Sequence, residues 1–330
     1  MTAKTVIRGM GFYAPDQLIT NQDLEKLVDT SDEWIMTRTG IRTRHIVAPG
    51  ESCSDMGLVA ARRALADAGY PVEKVTHLLV ATLTPDGYCP STASYLTHKL
   101  GIKDIMSIDV NAACSGFLNA VQVARAMVAL DPKACVLAVA SDVLTSRVNW
   151  TDRATCVLFG DAAGAVIITA ADDQPAKCNI LDVMLKCDGA HADLLTVRGG
   201  GSGRPYRAGE TIGDDFFIQM NGREVYKHAV RNMSAISEEI LEKNGWSKKD
   251  VDVLVPHQAN LRIVESLGRR LEMPSERVFV NVDRYGNTSA ASLAVALAEA
   301  FEQGFIKAGN RVLAVTFGGG FTWGAALLEF

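Results

Sequence analysis

The sequence predicts an α/β protein built from two similar halves, and two observations carry that reading. Short apolar runs suited to buried strands alternate with amphipathic helical stretches and glycine turns along the chain. A thin internal repeat also lays Ala61–Val80 on Ser237–Pro256, and the VLAV of 136–139 on that of 312–315, both at a shift of 176 residues. A duplication of this kind implies halves packed about a pseudo-twofold axis, with a site between them. The halves are placed at residues 1–175 and 176–330.

The elements follow from local pattern. Leu58, Ala61, Leu65 and Ala68 share one helical face, and Gly69 supplies the stop. Val75–Thr84 then reads as a buried strand, with Met106–Val110 and Cys135–Ala140 as further strands. Between the latter two, Phe117, Val121, Ala124 and Val128 recur at helical spacing. DDQPAKCN, from Asp172, is a polar connection. RGGGSGRPYRAGE (198–210) holds five glycines in 13 positions and must be a loop. With Arg198, Arg204 and Arg207 it is either a solvated excursion or a flap near a substrate entrance. In the second half a strand ends at Val255 and another spans Val278–Val282. Leu293, Leu297 and Phe301 mark a helix, and the second VLAV runs into a glycine turn.

Composition narrows the function classes. With 48% apolar and 22% charged residues the chain can bury a sizeable core. A net charge of −5 without charge runs gives no polyanion footprint, so neither nucleic acid nor membrane is an expected partner. MTAKTVIRGMGFYAP has no apolar signal region. The longest apolar run, Ala162–Ala171, is too short to span a bilayer. Seven cysteines without CxxC pairs argue against a disulfide framework or a zinc site, and for a reducing cytoplasm.

Three residues stand at strand ends with chemistry to offer. Cys114 follows a strand and a turn of small residues and opens a helix. Unpaired N–H groups and the positive dipole end should favour its thiolate, and its own N–H can serve an oxyanion. A buried structural cysteine is the bland alternative. Cys135, Cys156 and Cys178 read as core, and Cys53 and Cys187 have no suggestive context. His257, in VDVLVPHQANLR, sits at the carboxyl mouth of a strand, where α/β sheets bind ligands. Asn287, in NVDRYGNTSAAS, precedes a helix and falls near the counterpart of Cys114 under the duplication. It is either a helix cap or an amide donor facing the cysteine. The three consecutive glycines within Phe317–Gly324 let backbone N–H groups approach a ligand. Such a set suits acyl transfer through a cysteine thioester, with histidine and asparagine donating to an enolate formed by decarboxylation. No dinucleotide or P-loop fingerprint is present.

The motifs that carry these residues resemble β-ketoacyl-acyl-carrier-protein synthase III, the initiating condensing enzyme of dissociated bacterial fatty-acid synthesis. They are VDTSDEWIMTRTGIRTRHI, DVNAACSGF, TDRATCVLFGDAAGA, VPHQANLRI, DRYGNTSAAS and FGGGFTWGAAL, in that order along essentially the whole chain. The resemblance implies a thiolase-like fold, two pseudo-twofold halves in five αβαβα layers, and a homodimer. It implies condensation of an acyl-CoA primer, acetyl-CoA being expected, with malonyl-acyl-carrier protein. Coenzyme A enters as a substrate thioester, with no separate cofactor or metal.

By the same resemblance Cys114, His257 and Asn287 form the triad, and the N–H groups of Cys114 and Gly319 form the oxyanion hole. Thr30, Trp34, Arg38, Arg153 and Asn260 contact coenzyme A. Gln258, Ala259, Asn260, Leu261 and Arg262 dock the carrier protein, with Lys227 and Arg269 extending the basic patch. Cys89 stands where familiar members carry a bulky aromatic before Pro-Ser, a place that closes the partner subunit's acyl pocket. A cysteine there implies room for primers longer than acetyl. The 190–215 segment is longer than in the shortest members. A thiolase would need a second cysteine near the C-terminus, and the last one here is Cys187. A starter-unit synthase of secondary metabolism, a thioester hydrolase and a non-catalytic acyl-CoA binder are the remaining alternatives.

Overall fold

The structure is a computed structural model that describes residues 4–330. Its main strands are β1 (Thr5–Tyr13), β2 (His77–Ala81), β3 (Met106–Val110), β4 (Cys135–Asp142), β5 (Ala162–Ala170), β6 (Cys178–Cys187), β7 (Val253–Pro256), β8 (Arg311–Gly318) and β9 (Thr322–Glu329). The main helices are α1 (Asp32–Thr39), α2 (Cys53–Ala68), α3 (Thr92–Leu100), α4 (Gly116–Leu130), α5 (Gly222–Lys243), α6 (Leu261–Arg270) and α7 (Ala291–Glu302). The nine strands lie in the order β7-β8-β9-β6-β1-β5-β4-β2-β3.

This sheet is two half-sheets joined edge to edge. In the first half, β2 and β4 run parallel with His77 opposite Val136; in the second, β7 and β8 run parallel with Val253 opposite Val312. Both residues of the pair move by the same 176 positions. The half-sheets meet where β1 and β6 pair antiparallel over three residues, Thr5 with Ile180 through Ile7 with Cys178. Arg8 lies in a bulge of β1 and binds the carbonyls of Gln174 and Pro175 and the carboxylate of Asp172, so it ties down the polar connection between halves.

Strand alternation sorts the core into layers. Leu79, Ala81, Val136 and Ala138 face a middle layer made of α4 and α7, as do Val253, Val255, Val312 and Ala314 from the second half. Leu78, Val80, Leu137 and Val139 face α2 and α3 on one outer side. Leu254, Leu313 and Val315 face α5 and α6 on the other. The result is αβαβα. Because α7 is covered on both sides, every residue from Ala291 to Ala300 is buried. Its Glu299 carboxylate is compensated by Arg284 Nη2, Tyr285 Oη and Asn281 Nδ2, each at 2.9 Å. Among the described residues Ala113–Leu130 is the one helical segment long and apolar enough to cross a membrane, and half of it is buried in the protein.

Three expectations are corrected. The strand expected over Val75–Thr84 is confined to His77–Ala81. Beyond it, Asp142 takes Leu83 N–H at 2.8 Å and Thr82 Oγ1 at 3.0 Å, so the carboxylate replaces the ladder. The strand expected over Val278–Val282 shrinks to one bridge, Leu254 with Val278. Gln258 Oε1 accepts the N–H groups of Asn281 and Val282 and turns the chain into a short helix. The helix expected from Leu58 starts five residues earlier, at Cys53, because Ser52 and Asp55 form a capping box there.

The middle layer closes on residues with almost no side chain. A Cβ on Gly164 would stand 2.5 Å from the Cβ of Ala294, and one on Gly116 would stand 3.2 Å from those of Ala290 and Ala81. Gly164→Ala is therefore expected to overpack β5 against α7 and lower stability by about 1–3 kcal/mol. Urea unfolding would show this as an earlier midpoint; an unchanged midpoint would mean that α7 can retreat freely.

Candidate active site

The halves meet at a cavity of about 820 Å³ lined by Cys114, His257, Asn287, Gly318 and Gly319 together with many apolar side chains. Cys114 sits on a tight turn, Ala113–Ser115, at the mouth of α4. Ala113 has φ +47°, and its N–H donates to Asn111 Oδ1 at 3.2 Å. The other half holds this turn in place. Thr316 Oγ1 donates to the Cys114 carbonyl at 2.8 Å, Thr322 Oγ1 to that of Ala112 at 3.0 Å, and Ser115 Oγ to that of Thr322 at 3.0 Å.

Asn287 is built by the same local chemistry. Its Oδ1 accepts the N–H of Ser289 at 2.9 Å, and Ser289 has φ +52°. Ala113 and Ser289 are 176 residues apart, as are Asn111 and Asn287. The register thus corrects the expected correspondence: Ala290, not Asn287, is the counterpart of Cys114. With Oδ1 engaged, the amide of Asn287 leaves its Nδ2 donor for the cavity.

The duplication also exposes an asymmetry at the two helix mouths. The N–H of Ala290 donates to Asp142 Oδ2 at 3.1 Å, so a carboxylate already fills the anion-binding end of α7. The counterpart of Asp142 is Gly318, which carries no group to offer to Cys114. A Cβ there would stand 2.7 Å from the Cys114 nitrogen. The mouth of α4 is left open to an anion, beside Gly319 of the same turn.

His257 is 3% exposed, and its backbone N–H donates to the Val315 carbonyl at 2.7 Å. Burial lowers the imidazole from its usual 6.5 to about 4, so it is neutral near pH 7. Cys114 departs from the expectation that its helix-terminal position favours the thiolate. Burial pushes its thiol up to about 12, with the Ser289 hydroxyl pulling the other way. Desolvation outweighs the helix end, which favours the thiol over the thiolate near pH 7.

The other expected residues divide. Trp34, Arg38, Ala259, Asn260 and Arg262 line the same cavity. Arg38 and Arg153 lie over the Trp34 ring at 4.9 and 4.8 Å, and Thr30 Oγ1 is enclosed without a partner. Asn260 caps α6 through Arg262 N–H and donates to the Arg38 carbonyl at 3.1 Å. Leu261 packs on Gly40, where a Cβ would meet it at 2.5 Å. Gln258 is corrected as a docking residue. It is 1% exposed and spends its amide on Pro256, Phe279, Asn281 and Val282, so it holds the loop from within. Lys227 and Arg223 line the cavity mouth, with Lys227 paired to Glu224 at 2.7 Å, whereas Arg269 lies outside the lining and approaches Glu265 on α6 at 3.8 Å.

Cys89 is exposed and does not line the cavity of its own chain. Two of the three arginines of the 198–210 loop are absorbed by neighbouring acids: Arg198 by Asp193, and Arg204 by Glu210 and Asp215. The flanking Val197 and Ile218 line the cavity, while no residue of 198–210 does. Asp142, Thr316, Thr322 and Ser292 were not found from sequence; each lies in or beside a quoted motif or strand, but only folding shows what it faces.

The state of the thiol is open to direct measurement. Alkylation of Cys114 by iodoacetamide in the substrate-free protein should keep rising, roughly tenfold per pH unit, from pH 7 to 9. A plateau beginning near pH 7 would mean the thiolate is already formed.

Comparison with known proteins agrees with this geometry. Residues 108–189 match the family described as 3-oxoacyl-[acyl-carrier-protein (ACP)] synthase III, and residues 241–330 match its C-terminal part. A β-ketoacyl-[acyl-carrier-protein] synthase III of Oleidesulfovibrio alaskensis is 55% identical over the full length of both chains. The crystal structure of the 3-oxoacyl-[acyl-carrier-protein] synthase III of Aquifex aeolicus superposes with TM-score 0.89 at 42% identity, covering 99% of this chain and 100% of that one. A priming β-ketosynthase of the R1128 polyketide pathway also gives 0.89, at 32% identity, over 99% and 97%. The cysteine, histidine and asparagine that meet beneath the glycine turn thus belong to a fold and sequence shared end to end, and the chain is a member of the β-ketoacyl-[acyl-carrier-protein] synthase III family.

Proposed function

We propose that this chain condenses an acyl-CoA primer with malonyl-acyl-carrier protein, losing CO₂, to give a 3-oxoacyl-acyl-carrier protein that begins type II fatty-acid synthesis. The observation that carries this is one cavity in which a cysteine, an open helix mouth and two neutral N–H donors converge. In the first half-reaction the Cys114 sulfur attacks the primer carbonyl. The carbonyl oxygen gains charge toward the N–H groups of Cys114 and Gly319. The bond to coenzyme A sulfur breaks, and the proton of the Cys114 thiol passes to the departing sulfur, so that coenzyme A leaves as its thiol. In the second, the malonyl carbon–carbon bond breaks to release CO₂. The electron pair passes to an enolate whose oxygen receives the N–H groups of His257 and Asn287. The enolate carbon then attacks the acyl group, and the Cys114 thiolate leaves and is reprotonated. A metal or redox cofactor has no part in this sequence; coenzyme A takes part as the thioester substrate.

We assign Trp34, Arg38 and Arg153 to the nucleotide end of coenzyme A, with Thr30 and Asn260 beside them. The carrier protein is assigned to the rim of Ala259, Asn260, Leu261 and Arg262, extended by Lys227. Halves at 1–175 and 176–330, each one copy of a duplicated unit, are supported by the repeat in strand register. A homodimer is supported by β3, an edge strand paired among the described residues with β2 alone, whose Met106 and Ile108 are exposed. Seven unpaired cysteines support work in the cytoplasm.

Incubation with acetyl-CoA and malonyl-carrier protein should yield the 3-oxoacyl product, with the acyl intermediate on the Cys114 peptide in mass spectra. An acyl group on another cysteine would reject the scheme. His257→Ala and Asn287→Ala should each slow malonyl decarboxylation by ~100- to 1,000-fold while acylation of Cys114 survives. Parental decarboxylation in either variant would remove that residue from the role.

The rim charge predicts a split between substrates. Arg262→Glu should raise KM for malonyl-carrier protein and leave acylation by acyl-CoA near the parent rate. Equal losses with both substrates would place docking elsewhere. For Cys89, each extra buried methylene of a primer contributes roughly 0.8 kcal/mol. If Cys89 faces the partner's acyl pocket, kcat/KM for butyryl-CoA should fall in Cys89→Phe. A parent confined to acetyl-CoA and indifferent to the added ring would eliminate the idea.

A further inference from the structure

Ser292, the second residue of α7, is buried beside His257. Its Oγ lies 3.0 Å from His257 Nδ1 and accepts the backbone N–H of Gln258 at 2.8 Å. That N–H can only donate, so one lone pair of the oxygen is committed. The hydroxyl proton then needs an acceptor of its own, and among the described residues Nδ1 is the one other polar partner within hydrogen-bond distance of Oγ. A neutral imidazole that accepts at Nδ1 carries its proton on Nε2. Nε2 is the nitrogen left for the cavity, which His257 lines. With Nδ1 protonated instead, Ser292 Oγ would face two donors, and the cavity would meet a lone pair rather than an N–H.

We propose that Ser292 is a positioning residue that holds His257 as its Nε2–H tautomer, so that the imidazole presents a hydrogen-bond donor to the cavity. The tautomer follows from the hydrogen-bond pattern alone; its use in malonyl decarboxylation rests on the function proposed above. The same serine anchors the residue after the histidine through Gln258 N–H, so one hydroxyl sets both the place of the ring and the position of its proton. Ser292 reaches His257 from the helix that also follows Asn287. The two donors proposed for the enolate are therefore oriented by a single segment, Asn287 to Ser292.

The test is nitrogen NMR of protein labelled with ¹⁵N-histidine near pH 7, the His257 signals being those lost in His257→Asn. Nδ1 should resonate as an unprotonated acceptor and Nε2 as a protonated nitrogen. In Ser292→Ala the pure Nε2–H pattern should give way to a mixture or to Nδ1–H, and malonyl decarboxylation should fall roughly 10- to 100-fold, as losses of orienting partners do. Acylation of Cys114 should keep the parent rate, which a general packing defect would not allow. Ser292→Thr keeps the hydroxyl and should restore the Nε2–H pattern. A parent spectrum with the proton on Nδ1, or an unaltered tautomer in Ser292→Ala, would overturn the proposal, and the first of these does not depend on the Ser292 variant folding. A parent with the proton on Nε2 but without malonyl decarboxylation would sink the functional reading and leave the tautomer assignment standing.

Discussion

The molecule depends on how closely its two halves can approach. Cys114 belongs to the first half, while His257, Asn287 and the glycine turn belong to the second, so no site exists until α4 and α7 share one layer. That layer closes because the contact positions carry almost no side chain: Gly116 against Ala290 and Ala81, and Gly164 against Ala294. Interiors pack at crystal-like density, so one added carbon at such a contact moves a helix. Thr316, Thr322 and Ser115 then fix the turn across the seam by hydrogen bonds whose lengths define where the sulfur stands.

Close approach has an electrostatic consequence. Burial between the half-sheets moves Cys114, His257 and Asp142 toward their uncharged forms. The Cys114 thiol rises and the His257 imidazole falls for the same reason, burial. Asp142 is also pushed up by burial, and it keeps its place by accepting hydrogen bonds from Thr82, Leu83, Thr84 and Ala290. A site that rests uncharged offers N–H dipoles rather than fixed charges. Such dipoles act most strongly on charge that develops during reaction, because no resident ion competes for them.

Duplication supplies the parts, and small departures from symmetry turn them into a site. Both halves place an asparagine, a left-handed residue and a helix mouth at matching positions, with Asn111 and Ala113 in one and Asn287 and Ser289 in the other. In the second copy Asp142 occupies the helix mouth, and Ala290 stands where a nucleophile would. In the first, Gly318 and Cys114 take those places. One mouth is plugged by a carboxylate and serves stability, and the other stays available to an oxyanion.

The sequence by itself determined the α/β class, the 176-residue repeat, the helix that follows Cys114, and the strand ends that carry His257 and the glycine turn. These depend on periodicity, glycine placement and recurring motifs, all of which are local. The tertiary structure alone decided which groups face one another. Gln258 sits in a motif beside exposed Arg262, yet four hydrogen bonds draw it inside. The strands expected through Thr84 and Val282 end early, because the side chains of Asp142 and Gln258 capture the backbone N–H groups. The thiol's protonation went against the local argument, because a helix end is a property of nearby sequence whereas desolvation is a property of everything packed around it. Ser292 and Asp142 gained their partners the same way, from residues 35 and 148 positions distant that only the closed layers bring within reach.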